Sequence, residues 1–148
     1  MIIHYADLLK FILKQYFHWN GQKDEYGRHL LQYIGTDVIR DKDPDYWARF
    51  VKDVVSIVEN EYDYAVIPDC RFENEYAIMH DAYPSVLVRV VAPIENTDAD
   101  FRCHISETAM DNVKADVDII NTKESLGQLL GAIPALASQI EDKFNSMR

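Results

Sequence analysis

Short apolar runs alternating with helical patterns constrain this chain more than any other feature of its sequence. Tyr64-Ala65-Val66-Ile67 ends in Pro68 and the polar group Asp69-Cys70-Arg71, and a helical stretch follows from Glu73 to Ala82. Val86 to Val91 is a second run, closed by Pro93. Val117-Asp118-Ile119-Ile120 is another, leading through Asn121 into a final helix from about Glu124 to Phe144. Strands that alternate with helices imply parallel pairing, right-handed crossovers and helices covering the sheet, which is an α/β architecture.

The first part of the chain is richer in helix. Ile2 and Ile3 start a short apolar run that could be a strand, and Leu8, Leu9, Ile12, Leu13 and Tyr16 mark one buried face of a helix from Ala6 to Phe17. His18 to Asp24 reads as a loop. Leu30, Leu31, Ile34 and Val38 form a second helical face, interrupted near Gly35. Asp43-Pro44 opens a third helix, with proline at the first helical position after an aspartate cap. That helix buries Trp47, Phe50, Val51, Val54, Val55 and Val58 and ends at Asn60. No repeat or linker divides the chain, so a single domain over 1–148 is expected. The irregular stretch 94–114 has the character of a lid or binding loop.

The chain has 148 residues, of which 15 are basic and 25 acidic, for a formal net charge of -10. Such a balance argues against nucleic acid or an anionic membrane as partner, because both require a basic footprint. A phosphate-bearing ligand would need a local cluster of arginines. The 5 glycines spell neither G-x-x-x-x-G-K-[ST] nor G-x-G-x-x-G. Gly21 to Gly27 comes nearest, but Arg28 follows and Asp24 and Glu25 occupy the space a phosphate needs, so it reads as a polar loop. The 2 cysteines, Cys70 and Cys103, make neither a C-x-x-C nor a zinc set. With no signal peptide and no long apolar stretch, a cytoplasmic protein with reduced thiols is expected.

Ligands of open parallel sheets bind beyond the carboxyl ends of the strands, which singles out Asp69 and Arg71, the Pro93 loop and Asn121. An aspartate directly after a strand can hold magnesium or its water, and an arginine two residues on can fork onto a phosphate. The alternative is that Asp69 caps the following helix and Arg71 is its solvated neighbour. Asp41, Asp43 and Asp45 alternate like a calcium loop, but Tyr46 and Lys52 stand where its glycine and glutamate belong, so a helix start fits better. His104-Ile105-Ser106-Glu107 has a catalytic composition without a nucleophile elbow and could simply begin a helix. Tyr16, Trp19, Tyr33, Trp47 and Phe50 could stack a base, but their helical spacing favours core packing.

These pieces together resemble a known family. Leu30-Leu31-Gln32-Tyr33-Ile34-Gly35-Thr36-Asp37, Asp45-Tyr46-Trp47, Tyr62 through Arg71, Val88-Arg89-Val90-Val91-Ala92-Pro93, His104 through Glu107 and Asp118-Ile119-Ile120-Asn121 occur in family order. The series resembles the deoxynucleoside monophosphate kinases of tailed phages and their bacterial relatives, P-loop proteins that move a phosphoryl group from ATP to a deoxynucleotide. The resemblance implies a three-layer P-loop-kinase-like parallel sheet flanked by helices, with Mg and ATP as cofactors and a deoxynucleoside monophosphate as substrate. It also implies that the family's N-terminal strand and Walker A loop, a unit of roughly thirty residues, are missing here, since Ile2 to Lys10 matches a segment that follows them. Without that loop the isolated chain should transfer phosphoryl groups very poorly, and transfer from ATP to a deoxynucleotide is expected only if the P-loop is supplied elsewhere. The exposed sheet edge left behind could recruit a second copy or a partner chain.

Carried over position by position, the resemblance implies that Arg28 and Arg71 grip the acceptor monophosphate and that Asp69 organises magnesium or that phosphate. Asp7 and Asp37 fall near the acceptor pocket, Trp47 closes it, His104 and Glu107 approach from the lid side, and Asn121 lies near the donor base. No metal ligand set is implied among these residues. Ala92 stands where the family has a second arginine, which weakens the phosphate clamp. A non-catalytic nucleotide-binding descendant of the kinase fold and a plain interaction protein are the competing readings.

Overall fold

Parallel pairing, the expectation set by the alternating runs, is what the described strands adopt. The computed structural model describes residues 1–91, 109–120 and 126–147, in two compact units, Met1–Met79 and His80–Arg148. The described residues establish a mixed architecture of helices with a small parallel sheet.

The first unit is mainly helical. Helix α1 (Asp7–Tyr16) buries Leu9 and Leu13, two of the residues its periodicity marks. Tyr16, expected on the same face, is instead 69 % exposed, because the face rotates away from the core by the last turn. The chain leaves α1 through His18 at φ 54 and folds back, so that the Trp19 amide donates to Leu13 O and the Trp19 side chain is buried. Helix α2 (Glu25–Gln32) starts at Asp24, whose carboxylate accepts the Gly27 amide at 2.7 Å. The expected polar loop therefore ends sooner than its composition suggests, and Gly27 lies in the first turn of α2.

Helix α2 runs directly into a π-helix, Tyr33–Arg40. This is the form taken by the expected interruption near Gly35. A Cβ at Gly35 would lie 2.6 Å from Leu9 Cδ2, so the absent side chain lets the π-helix approach α1. The Gly35 carbonyl accepts the Trp47 indole N–H at 3.0 Å, which fixes the segment against helix α3 (Tyr46–Val58). Trp47, Ala48, Val51 and Val55 are the buried residues of α3. Its start corrects the sequence reading: Asp45 occupies the cap position without a side-chain cap bond. Asp43 instead pairs with Arg49, and the Pro44 carbonyl is drawn into a side-chain network described below.

Ile2 and Val66 form an isolated parallel bridge, with Ile3 N–H donating to Val66 O at 3.1 Å and Val66 N–H to Met1 O at 2.9 Å. The two apolar runs thus meet in parallel, over a single bridge rather than full strands. Helix α4 (Glu73–Ala82) follows, at the expected bounds.

The second unit contains β1 (Val88–Val91) and β2 (Val117–Ile120), paired in parallel with Val88 opposite Val117 and Val91 opposite Ile120. Asp116 locks the entry to this pair: its carboxylate accepts the Leu87 amide at 2.8 Å and its own amide donates to Leu87 O at 2.9 Å. Arg89 donates to Met110 O at 3.0 Å and also to Val113 O, which ties the end of the expected lid segment 94–114 to β1. Residues 94–108 of that segment lie outside the described residues. Helix α5 (Leu126–Ser146), with Pro134 in its interior, closes the chain. Among the described residues no helix is long and apolar enough to cross a membrane.

Candidate functional site

The polar group after the Val66 bridge is held from two directions. Asp69 Oδ1 accepts the Tyr5 amide at 2.9 Å and Asp69 Oδ2 accepts the Ala6 amide at 3.1 Å. Ala6 is the cap position of α1, so Asp69 satisfies backbone donors at the start of that helix. Sequence reasoning considered Asp69 as the cap of the helix following it. The cap is real but belongs to α1, more than sixty residues back in the chain.

Helix α4 is capped by its own third residue. Glu75 Oε2 accepts the Arg71 amide at 2.8 Å and the Phe72 amide at 3.1 Å, the backward-reaching half of a capping box. Its other oxygen, Oε1, pairs with the Arg40 guanidinium from the end of the π-helix. The Arg40 guanidinium carbon lies 3.7 Å from the centre of the Phe72 ring. Arg40 Nη1 also donates to Pro44 O at 3.2 Å and Asn74 Oδ1 at 3.4 Å, while Asn74 Nδ2 donates to Pro44 O at 2.8 Å and Asp45 Oδ1 at 2.7 Å. The Tyr5 hydroxyl donates to Glu75 O at 2.8 Å.

This packing sets the electrostatics. Burial pushes the Glu75 carboxyl up from its ordinary value, against the pull of the Arg71 amide and Arg40. Burial, reinforced by the Glu75 charge, pushes the Cys70 thiol up to about 12, so it is no nucleophile near neutral pH. Tyr5 is raised for the same reason, burial first and the Cys70 and Glu75 charges second. Asp7 moves the other way. Partial burial would raise it, but the His4 amide at 2.9 Å, Lys10 Nζ at 3.3 Å and His4 Nδ1 at 3.2 Å outweigh that and lower it.

The structure brings Asp7, Asp69 and Arg71 into one locality, since Asp69 grips the residues immediately before Asp7. Arg71 is exposed, two residues beyond that capping carboxylate. Arg28 is exposed on α2, and Asp37 is exposed on the π-helix whose last residue reaches Glu75. Trp47 is 4 % exposed and packs in the core, with its indole N–H on Gly35 O. His104, Glu107 and Asn121 lie outside the described residues.

Both helix starts at this locality are already filled by carboxylates, Asp69 at α1 and Glu75 at α4. An incoming phosphate would therefore be gripped by guanidinium groups rather than by helix amides. Magnesium is implied by the family alone. Both Asp69 oxygens carry backbone hydrogen bonds, and among the described residues no group of three or more His, Cys, Asp and Glu is arranged to hold a metal ion. Sequence reasoning missed Arg40, Asn74 and Glu75. Glu75 carried a signal, a glutamate at the third position of a helix, but Arg40 lies 35 residues away and nothing local marks it.

No solved structure gives a match to the chain. The deoxynucleotide monophosphate kinase of Enterobacteria phage T4 is 28 % identical over 117 residues, which is 77 % of this chain and 46 % of the phage protein. The chain thus spans about half the length of that relative. The family model for deoxynucleotide monophosphate kinase matches residues 5–133, a range that takes in the motifs from Leu30 to Asn121. By that match, the chain belongs to the deoxynucleotide monophosphate kinase family.

Proposed function

We propose that this chain forms the acceptor side of a deoxynucleotide monophosphate kinase and binds a deoxynucleoside monophosphate at the Asp69-Cys70-Arg71 loop. The observation that carries this reading is the fixing of that loop at both ends, by Asp69 on the Tyr5 and Ala6 amides and by the Arg71 amide on Glu75. A loop so held positions Arg71, an exposed residue, at low entropic cost.

In this reading Arg71 and Arg28 take the monophosphate, and Asp69 sets the loop rather than meeting the ligand first. Asp7 and Asp37 face the sugar and base, and Trp47 acts from the core by bracing the π-helix that carries Asp37. For His104 and Glu107 the family resemblance implies a lid-side role, and for Asn121 a donor-side one. Phosphoryl transfer would join an acceptor phosphate oxygen to the γ-phosphorus of ATP and break the bond to the β–γ bridging oxygen, releasing ADP. The chain's part in that step is to hold and orient the acceptor oxygen. The 148 residues spell no donor-phosphate loop. Binding without appreciable transfer is therefore expected of the chain alone. A non-catalytic nucleotide-binding module descended from the same fold is the second reading.

The wider reading is a cytoplasmic protein built on the three-layer P-loop-kinase sheet. A second copy or partner chain would cover the exposed Val90, Val91 and Ile120. Titration calorimetry with deoxynucleoside monophosphates and, separately, with ATP tests the reading. Monophosphate binding without ATP binding supports the acceptor role, and no monophosphate binding at millimolar concentration overturns it. A coupled assay for ADP release decides between kinase and binding module.

A further inference from the structure

We propose that the buried Arg40–Glu75 pair is a positioning element for the phosphate-binding Arg71, an inference that rests on the functional reading just given. Glu75 is the buried charged residue of the described core, at 2 % exposure, and the Arg40 side chain is 12 % exposed. Burying such a pair is a poor way to gain stability. The desolvation of two charges offsets their attraction, and well-packed apolar replacements are often as stable or more so.

What the pair does is fix geometry. One Glu75 oxygen takes the Arg71 and Phe72 amides, and the other takes Arg40. The Arg40 guanidinium then lies over the Phe72 ring, 3.7 Å from its centre, and reaches Asn74 and Pro44, so Phe72, the residue after Arg71, is held from outside its own segment. Arg40 is also the last residue of the π-helix. An irregular helix of this kind occurs often at functional sites, and this one links the segment carrying Asp37 to the loop carrying Arg71. Arg40 and Glu75 touch no ligand in this scheme. They act through the Arg71 backbone.

The test is calorimetry with a deoxynucleoside monophosphate on the full chain, well below each variant's melting transition, so that only folded protein is compared. Two variants are needed. The pair Arg40→Met with Glu75→Gln removes both charges without stranding either, and Arg40→Lys keeps the charge but loses the planar fork. The expected result is a Kd about tenfold weaker for the double variant and an intermediate loss for Arg40→Lys. A merely structural pair would shift the melting temperature and leave the Kd of folded protein at the parent value. That outcome in either variant overturns the proposal while leaving the functional reading in place. If the double variant does not fold, Arg40→Lys alone decides. Absence of binding by the parent chain overturns both.

Discussion

Replacing Asp69 by alanine should destabilise the protein before any effect on ligand binding is considered. The carboxylate accepts the Tyr5 and Ala6 amides at 2.9 and 3.1 Å. Tyr5 is 5 % exposed, so little water can reach its amide once the acceptor is gone. Loss of a helix cap typically costs 0.5–2 kcal/mol, and a charged acceptor serving two donors belongs at the upper end, about 2 kcal/mol. For a chain of this size that lowers the melting temperature by ~4–8 °C. Asp69→Asn keeps one acceptor but turns its NH2 group toward a backbone N–H, so it should fall between parent and alanine. Thermal unfolding followed by far-ultraviolet circular dichroism at neutral pH measures all three. If Asp69 faced only a ligand, its removal would leave the melting temperature unchanged, and a shift for Asp69→Ala smaller than ~1 °C would refute the capping argument.

Other consequences can be checked in the same protein. A Cβ at Gly27 would lie 2.0 Å from the Gln22 backbone carbonyl, whereas one at Gly35 would meet the end of the Leu9 side chain at 2.6 Å. Leu9 can turn aside and backbone cannot, so Gly27→Ala should cost more than the ~1–3 kcal/mol typical of overpacking and Gly35→Ala less; urea midpoints in the reverse order would contradict this. With Cys70 raised from 9.0 to about 12, its thiolate fraction at mildly alkaline pH is about a thousandfold below that of a free thiol. In a Cys103→Ser background, iodoacetamide should label the folded protein far more slowly than the urea-unfolded chain; equal rates would contradict the burial. The same shift fixes a sign. Because the folded pKa lies above the unfolded one, this contribution to stability is fully present below pH 9.0 and is lost as pH rises toward about 12. Tyr5 acts in the same direction, so alkaline unfolding should set in above that lower bound.

Local pattern made the helices legible. The face of α1 follows from Leu9 and Leu13, and α4 follows from the break after Arg71. Parallel pairing was legible too, because short apolar runs separated by helices leave few other arrangements. The start of α3 was misread because Asp43-Pro44 is a good local cap signal. Arg49 taking Asp43, and Arg40 and the distant Asn74 taking the Pro44 carbonyl, outweighed it. The π-helix announced itself only as a glycine, and the neighbour that requires a glycine there, Leu9, lies in another element. In the candidate site, Asp69 and Arg71 stood out because a strand end is a place with physical meaning. Their supports did not stand out. The Tyr5 and Ala6 amides, Arg40 and Glu75 meet through the fold, and no spacing in the sequence records those contacts.

The phosphate-gripping role of Arg71 is decided by the affinity of the parent chain and of Arg71→Ala for a deoxynucleoside monophosphate, measured by calorimetry at neutral pH. A guanidinium forked onto phosphate contributes about 1.5–3 kcal/mol through charged hydrogen bonds, so the parent chain should bind and the variant should show a Kd at least ~10-fold weaker. Equal affinity in both proteins would contradict it.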